Sequence, residues 1–482
     1  MAELVVASNR GPVQFEVDDD GNLSMGRGAG GMVAALGPAL AGQGGIWVAA
    51  AITDGDRVAA RRVARSGRLR TVELAQGAVR LRSLVFDPRE YANYYNRVAN
   101  RTIWFLHHYL FDVPRHPRFD RSFRVAWQHY EDINRAFAVA CDDEADPGGE
   151  VFAQDYHLAL VPAMLRQRRP DLRIAHFTHC PWADAGYFLT LPSRAAGAIL
   201  EGMLGADLLG FLVPRWARSF LHCCLEAGYR VDFEQSAVEA GDGRRVRVRT
   251  YPLGVDGEAL RERADQADAR AQERVVADLA RGRRLIVRVD RMELSKNILR
   301  GLEGYGMFLE RNPRARGRVV HYALTYPSRR GLPEYQAYTA EVKHMADSIN
   351  ERFRTRSWEP VLLELRDNYP RALAAMATAE LLIVNPVWDG MNLVAKEGPA
   401  ISRRDLALIL SRNAGAADDL GPGALLVNPF DTAELAEAIG AALELSPDER
   451  AKRAALLREG ATALPPQQWF ASQRDDLAAL QR

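Results

Sequence analysis

A pair of doubly wound α/β domains is what this sequence predicts, and three observations predict it. A short β-rich run, a turn and a helical pattern alternate along nearly the whole chain, the signature of a parallel sheet covered by helices. The alternation restarts after a charged, Ala-rich helical stretch at Glu258–Arg283, which bridges two series. At 482 residues the chain has room for about two to four domains, and two halves of similar size fit it.

The elements follow in order. Leu4–Ser8 reads as the first strand, and a helix starts near Gly31. Strands are expected at Trp47–Ile52, Val151–Gln154, Arg173–Thr178, Asp207–Leu212 and Arg245–Tyr251, and Pro252-Leu253-Gly254-Val255 leaves the first half. The second series has strands at Leu285–Val289, Val319–Leu324, Val361–Leu365, Leu381–Val384, Leu406–Leu410 and Ala424–Val427, and Gln467–Arg482 reads as a closing helix. The expected division is 1–256, 257–465, and a helix at 466–482 that returns to the first domain. Two Rossmann-like domains that face each other place a cleft at the carboxyl ends of both sets of strands.

Composition narrows the function. Hydrophobic residues make up 48% and charged ones 26%, as in a soluble globular enzyme. The net charge of +1 lacks the basic excess of a nucleic-acid binder, so no nucleic-acid partner is expected. No apolar run approaches the roughly 20 residues of a membrane helix, and Met1-Ala2-Glu3-Leu4 lacks a basic leader region; a cytoplasmic protein with no membrane partner is expected. Cys141, Cys180, Cys223 and Cys224 have no paired spacing and read as free thiols. The ten histidines show no ligand-like cluster, so neither a metal nor a cofactor is expected. Lysine occurs only at 296, 343, 396 and 452, which draws attention to each. Whether copies assemble as a homo-oligomer the sequence leaves open.

Three clusters carry chemistry. Gly26-Arg27-Gly28-Ala29-Gly30-Gly31 formally matches G-x-G-x-x-G, but Asn9 to Met25 separates it from the first strand, where a dinucleotide-binding turn would follow at once. A mobile loop whose N–H groups approach a phosphate is the better reading, and a plain glycine turn is the alternative. In Arg288-Val289-Asp290-Arg291-Met292-Glu293-Leu294-Ser295-Lys296-Asn297, Arg291 and Lys296 are expected on the loop after a strand. Two cations there suit a diphosphate that gains charge as its bond breaks; solvated surface charge is the alternative. The third cluster runs from Asn385 to Glu397. Asp389 is expected at a turn, able to accept hydrogen bonds from sugar hydroxyls, the amides of Gly390, Met391, Asn392 and Leu393 are expected as first-turn donors, and Glu397 lies about two turns on if the helix begins promptly. The alternatives are an N-cap and a surface acid.

Single residues at strand ends add to these. His179 is a candidate for a substrate hydroxyl or the leaving group, and Asp155 for orienting an acceptor hydroxyl. Arg10 and Arg329 suit a phosphorylated acceptor. Tyr95 and Trp104 are either core aromatics or the wall of a sugar pocket.

Together these motifs resemble the trehalose-6-phosphate synthase family. Ser-Asn-Arg at 8–10, Gly30-Gly31, Tyr-Tyr-Asn at 94–96, Asp-Tyr-His at 155–157 and His-x-Pro at 179–181 occur in order. Tyr-Pro-x-Gly at 251–254, Arg291 with Lys296, Pro-Ser-Arg at 327–329 and Asp-Gly-Met-Asn-Leu-Val-Ala-Lys-Glu at 389–397 complete the set. The resemblance implies a retaining glycosyltransferase of the GT-B type, with its active site in the interdomain cleft. It implies transfer of glucose from a nucleoside-diphosphate glucose to glucose 6-phosphate, giving α,α-trehalose 6-phosphate without a metal. By the same resemblance, Arg10, Tyr95, Trp104, Asp155 and Arg329 bind the acceptor, while Gly31, Arg291, Lys296 and the 390–393 backbone bind the donor diphosphate. His179 and Asp389 hold the donor sugar, and Glu397 the ribose.

The chain departs from the family pattern in places. Ala50 stands where many members have a second tryptophan, Gln154 replaces a frequent histidine, Leu212 a frequent glutamine, and Val-Asp-Arg-Met-Glu at 289–293 differs from Val-Glu-Arg-Leu-Asp. These changes are similar to the validamycin pseudo-glycosyltransferase branch, which couples cyclitols through nitrogen and is the second reading. A catalytically idle sugar-phosphate sensor is a third, against which intact Arg291, Lys296, Asp389 and Glu397 speak. Residues 290–297 and 47–50 resemble the branch that includes guanosine-diphosphate-glucose users, so GDP-glucose is the expected donor and UDP-glucose the alternative.

Overall fold

The apolar runs singled out above become the central parallel strands of two separate sheets. The computed structural model of the chain describes residues 1–27, 36–37, 40, 44–66, 69–74, 77–329 and 331–480. It divides into Met1–Pro252 with Pro466–Arg482, and Leu253–Pro465. The chain crosses between the units at Pro252–Leu253, ahead of the expected position 256, and again at Pro465–Pro466.

The first unit holds β1 (Ala2–Ser8), β2 (Val13–Val17), β3 (Leu23–Arg27), β4 (Ile46–Ala50), β5 (Arg70–Leu74), β6 (Gly77–Leu84), β7 (Ala145–Gln154), β8 (Arg173–Thr178), β9 (Leu208–Phe211), β10 (Arg230–Asp232), β11 (Ala237–Glu239) and β12 (Arg245–Thr250). Ten of them form one sheet in the order β10-β11-β12-β9-β8-β7-β1-β4-β6-β5. The run from β12 to β6 is parallel, and antiparallel pairs close both edges. Every residue of β4 and all but Glu3 of β1 are buried, as strands covered on both faces require. β2 and β3 form a separate hairpin. Gly26 and Arg27 therefore belong to a strand, not to the expected loop, and Gly28 to Gly31 lie outside the described residues.

The second unit holds β13 (Arg284–Met292), β14 (Val319–Pro327), β15 (Val361–Glu364), β16 (Leu381–Val384), β17 (Ala407–Ser411) and β18 (Leu425–Val427). They form an all-parallel sheet in the order β15-β14-β13-β16-β17-β18, which is the dinucleotide-fold order 3-2-1-4-5-6. Its core packs Ile286, Leu302, Tyr305, Ile383, Ile409 and Ile439 between sheet and helices. The stretch expected as one helix at Glu258–Arg283 is two, Gly257–Asp265 and Ala267–Ala280, because Gln266 adopts an extended conformation between them.

Two local features position functional groups in the first unit. Asn93–Trp104 is wound as a π-helix, a form that is rare and concentrates at functional sites. The helix Pro466–Ala479 packs into this unit. Trp469 is fully buried, its indole N–H donates to the Tyr251 carbonyl (3.1 Å), and its ring meets Phe177 edge-on at 4.8 Å. The Tyr251 hydroxyl donates to Asp476 (2.6 Å), and Arg474 pairs with buried Glu150 (2.7 Å).

Candidate active site

Strand order reverses between β1 and β7 in the first unit, and between β13 and β16 in the second. Ligands of open α/β sheets bind at the carboxyl ends of strands at such switch points.

β1 ends at Ser8 and leads to Arg10; β7 ends at Gln154 and leads to Asp155. The Trp47 indole donates to Ser8 Oγ (2.7 Å), and Ser8 Oγ to the Arg10 carbonyl (2.6 Å), which fixes the turn. Arg10 Nη2 donates to the Tyr95 hydroxyl at 3.2 Å. Tyr95 stacks between Tyr91 and His157, with both ring centroids 5.7 Å away. His157 Nδ1 lies 3.8 Å from Asp155 Oδ2.

Asp155 sits at φ 69°, ψ 168°, a region that costs a non-glycine residue about 1–3 kcal/mol and clusters at active sites. The strain is held by three bonds. Its N–H donates to the Phe177 carbonyl (2.7 Å), its carbonyl accepts from His176 Nε2 (3.2 Å), and its carboxylate accepts from the His179 N–H (3.1 Å). His179 Nε2 lies 2.9 Å from Gln154 Oε1, so Nε2 carries the proton. Burial, helped by neighbouring His176, pushes this imidazole down to about 3. At about 3 the imidazole is neutral at physiological pH and can offer a hydrogen bond but no positive charge. Arg10, Tyr95, Asp155 and His179 thus form one array joined through His157. Trp104, at the end of the same π-helix as Tyr95, is buried and stacks on His108 at 4.1 Å.

The second array corrects three local expectations. Arg291 lies within β13 and not on the following loop; Lys296 lies on the 3-10 turn Leu294–Lys296. The helix after β16 begins at Val394, not next to Asp389, because Asn392 takes a left-handed φ of 78° that an α-helix cannot propagate. Glu397 is therefore in that helix's first turn.

Lys296 Nζ pairs with Asp389 Oδ2 at 2.6 Å, and Asn392 Nδ2 donates to the same oxygen at 3.0 Å. Asn392 Oδ1 accepts from the Ala395 N–H (3.3 Å) in the first turn of the helix. The turn leans on Gly415, whose N–H donates to the Asp389 carbonyl (3.1 Å) and where a Cβ would fall 1.9 Å from the Gly390 oxygen. The N–H groups of Met391, Asn392 and Leu393 meet no acceptor among the described residues. Three adjacent unpaired donors make an anion cradle.

Buried charges support the cations. Arg288 is fully buried; it pairs with Asp290 (2.9 Å), donates to the Lys296 carbonyl (3.0 Å) and to Asn385. Gly301 makes its space, since a Cβ there would fall 2.6 Å from Arg288 Nη2. Burial raises the Asp290 carboxyl to about 6 despite Arg288 and Lys296 beside it. Burial also disfavours the Lys296 charge, but Asp389 and Asp290 outweigh it and hold the ammonium above the usual lysine range. Arg291 pairs with buried Glu293 at 2.7 Å. Arg329, at φ 43°, donates to the Tyr335 hydroxyl and lies 3.9 Å from Glu293. Glu397 is half-buried, and burial lifts its carboxyl to about 7. Lys396 has a different place: its ammonium is buried on Asp419.

Among the described residues no cluster of His, Cys, Asp or Glu could hold a metal ion, and no helix is long and apolar enough to cross a membrane. A groove of about 550 Å³ along edge strand β15, lined by Tyr322, Asn350, Glu364 and Arg371, shares no residue with either array. Gln154, His157 and Glu293 belong to the arrays although residue type alone assigned them no role; their signal was position beside Asp155 and Arg291.

Two doubly wound sheets, each with a polar array at the switch point of its strands, are the architecture of a glycosyltransferase of the GT-B class. The model of glycosyltransferase family 20 matches residues 2–479. A trehalose-6-phosphate synthase from Mycobacterium avium is 34% identical over 498 aligned positions, covering 99% of this chain and 95% of that protein. Two solved structures are similar throughout. The Escherichia coli trehalose-6-phosphate enzyme bound with UDP-2-fluoro glucose has a TM-score of 0.85 and 26% identity, over 99% of both chains. A UDP-forming α,α-trehalose-phosphate synthase from Burkholderia xenovorans, in complex with glucose 6-phosphate, has a TM-score of 0.82 and 27% identity, over 99% of this chain and all of that one. The chain belongs to glycosyltransferase family 20, the trehalose-6-phosphate synthase family.

Proposed function

We propose that the protein transfers glucose, with retention, from a nucleoside-diphosphate glucose to glucose 6-phosphate, and so forms α,α-trehalose 6-phosphate. The observation that carries this reading is the convergence of Arg291, Lys296, Asp389 and the free 391–393 N–H groups at the second switch point. Arg291 and Lys296 offset the charge that grows on the diphosphate as the C1–O bond breaks, with the 390–393 backbone around it. Asp389 and neutral His179 hold the transferred sugar, and Glu397 the ribose. Arg10 and Arg329 read the acceptor phosphate, while Asp155, Tyr95 and Trp104 hold the acceptor sugar. The acceptor O1 bonds to C1 on the face the diphosphate leaves, and its proton passes to a diphosphate oxygen. No side chain needs to act as nucleophile.

GDP-glucose is the first reading for the donor, from residues 290–297 and 47–50. The UDP-forming enzyme of Burkholderia xenovorans favours UDP-glucose as the second. The test is product analysis and kcat/KM with GDP-, UDP- and ADP-glucose at saturating glucose 6-phosphate. Trehalose 6-phosphate with a GDP-glucose preference is expected. A UDP-glucose preference would reverse the base alone, and no disaccharide phosphate from any donor would sink the reading.

A further inference from the structure

Beside the cation array lies a buried carboxylate to which the proposed reaction assigns nothing. Glu293 is fully buried. Its Oε1 accepts from Arg291 Nη1 (2.7 Å) and from the Ser328 hydroxyl (2.9 Å). Its Oε2 is buried without a hydrogen bond and points towards Arg329 Nη1 at 3.9 Å. One side chain therefore spans the end of β13, which carries Arg291, and the segment after β14, which carries Ser328 and Arg329. These strands are in register, Arg291 beside Tyr326 and Met292 beside Pro327.

We propose that Glu293 is a positioning residue that holds Arg291 and Arg329 as one unit, so that donor diphosphate and acceptor phosphate bind against a common buried anchor. The inference rests on the roles given above to those two arginines. Two guanidiniums and the Lys296 ammonium crowd one region and repel one another. A single anion among them relieves that repulsion. The three cations accordingly keep Glu293 ionised, at about 2, although burial alone would raise it. A carboxylate that only filled space would have both oxygens bonded.

Glu293→Gln keeps the shape and removes the charge. Steady-state kinetics should show KM for glucose 6-phosphate and for the nucleotide sugar each raised about tenfold, as loss of a charge-assisted contact does. Turnover of unphosphorylated glucose should change far less. Glu293→Asp, which keeps the charge on a shorter stem, should regain part of both KM values. In an Arg329→Ala background, Glu293→Gln should add nothing further to the glucose 6-phosphate KM. A purely structural role would lower the thermal midpoint and impair both acceptors alike with KM values unchanged; that result, or additive effects in the double variant, overturns the proposal. If Glu293→Gln does not fold, Glu293→Asp carries the test, and wild-type KM values there overturn it. The rise in thermal midpoint caused by GDP or UDP needs no turnover. It should shrink in the variant even if the wild-type protein makes no trehalose 6-phosphate, an outcome that would sink the proposed reaction alone.

Discussion

Glu397 gives the most quantitative check on where the nucleotide sits. Burial lifts its carboxyl from an ordinary 4.5 to about 7, so about half the molecules carry a proton there at neutral pH. Ribose hydroxyls that donate to Glu397 would favour the ionised form and bring its pKa back towards the ordinary value. A full return is worth about 3 kcal/mol at about 1.4 kcal/mol per decade. The sign is fixed by linkage: the free enzyme holds the proton and the complex releases it, so affinity rises as pH climbs from about 4.5 to 7 and levels off above. Calorimetry of GDP and UDP binding in buffers of different ionisation enthalpy should show release of about half a proton at pH 7. Glu397→Gln removes that release, while protons belonging to the nucleotide itself persist. The free protein adds a second readout. Its raised carboxyl stabilises the fold fully below the ordinary value and less as pH rises through 7, so Glu397→Gln should raise the thermal midpoint at pH 8 more than at pH 5. Equal proton release in wild type and variant, with affinity flat from pH 5.5 to 8, would refute the ribose assignment.

The two paired lysines of this second unit should behave oppositely. Lys296→Ala should cut kcat at saturating donor by roughly 100–1,000-fold, the usual loss for one electrostatic stabiliser; near-normal turnover would remove Lys296 from the reaction. Lys396→Met strands Asp419, which is partly exposed, and should cost about 1–3 kcal/mol in chemical denaturation. KM for both substrates should stay unchanged, and a selective rise in donor KM would contradict its structural assignment.

How much of this was legible in the sequence differs by element. The parallel strands were, because burial on both faces favours short apolar runs: Leu381–Val384 is wholly aliphatic, Arg173–Thr178 carries Ile174, Ala175 and Phe177, and both read to the residue. The hairpin β2–β3 was not, although Val13, Phe15 and Val17 alternate and Asp20-Gly21-Asn22 marks a turn; the glycine motif that follows drew the reading towards a loop. The π-helix at 93–104 has no sequence signature, since its hydrophobic spacing differs little from that of an α-helix. Arg291, Lys296, Asp389 and Glu397 could be picked out by type and by their place after strands. The late helix start could not, because it follows from one left-handed asparagine. Glu293 read as one more acid among arginines, since charge order along a strand does not tell which side chain turns inward.

The return of Pro466–Ala479 to the first unit also has a consequence for biosynthesis. Synthesis at about 5–20 residues per second puts roughly 10–40 s between Pro252 and Pro466. During that interval the first unit lacks Trp469 against Phe177, Phe470 against Phe152 (4.8 Å), and the Arg474 partner of Glu150. The second unit, continuous from Leu253 to Pro465, is complete before the first. The nascent chain therefore finishes in reverse order, with its earliest-made sheet lacking these contacts until residues 466–479 leave the ribosome.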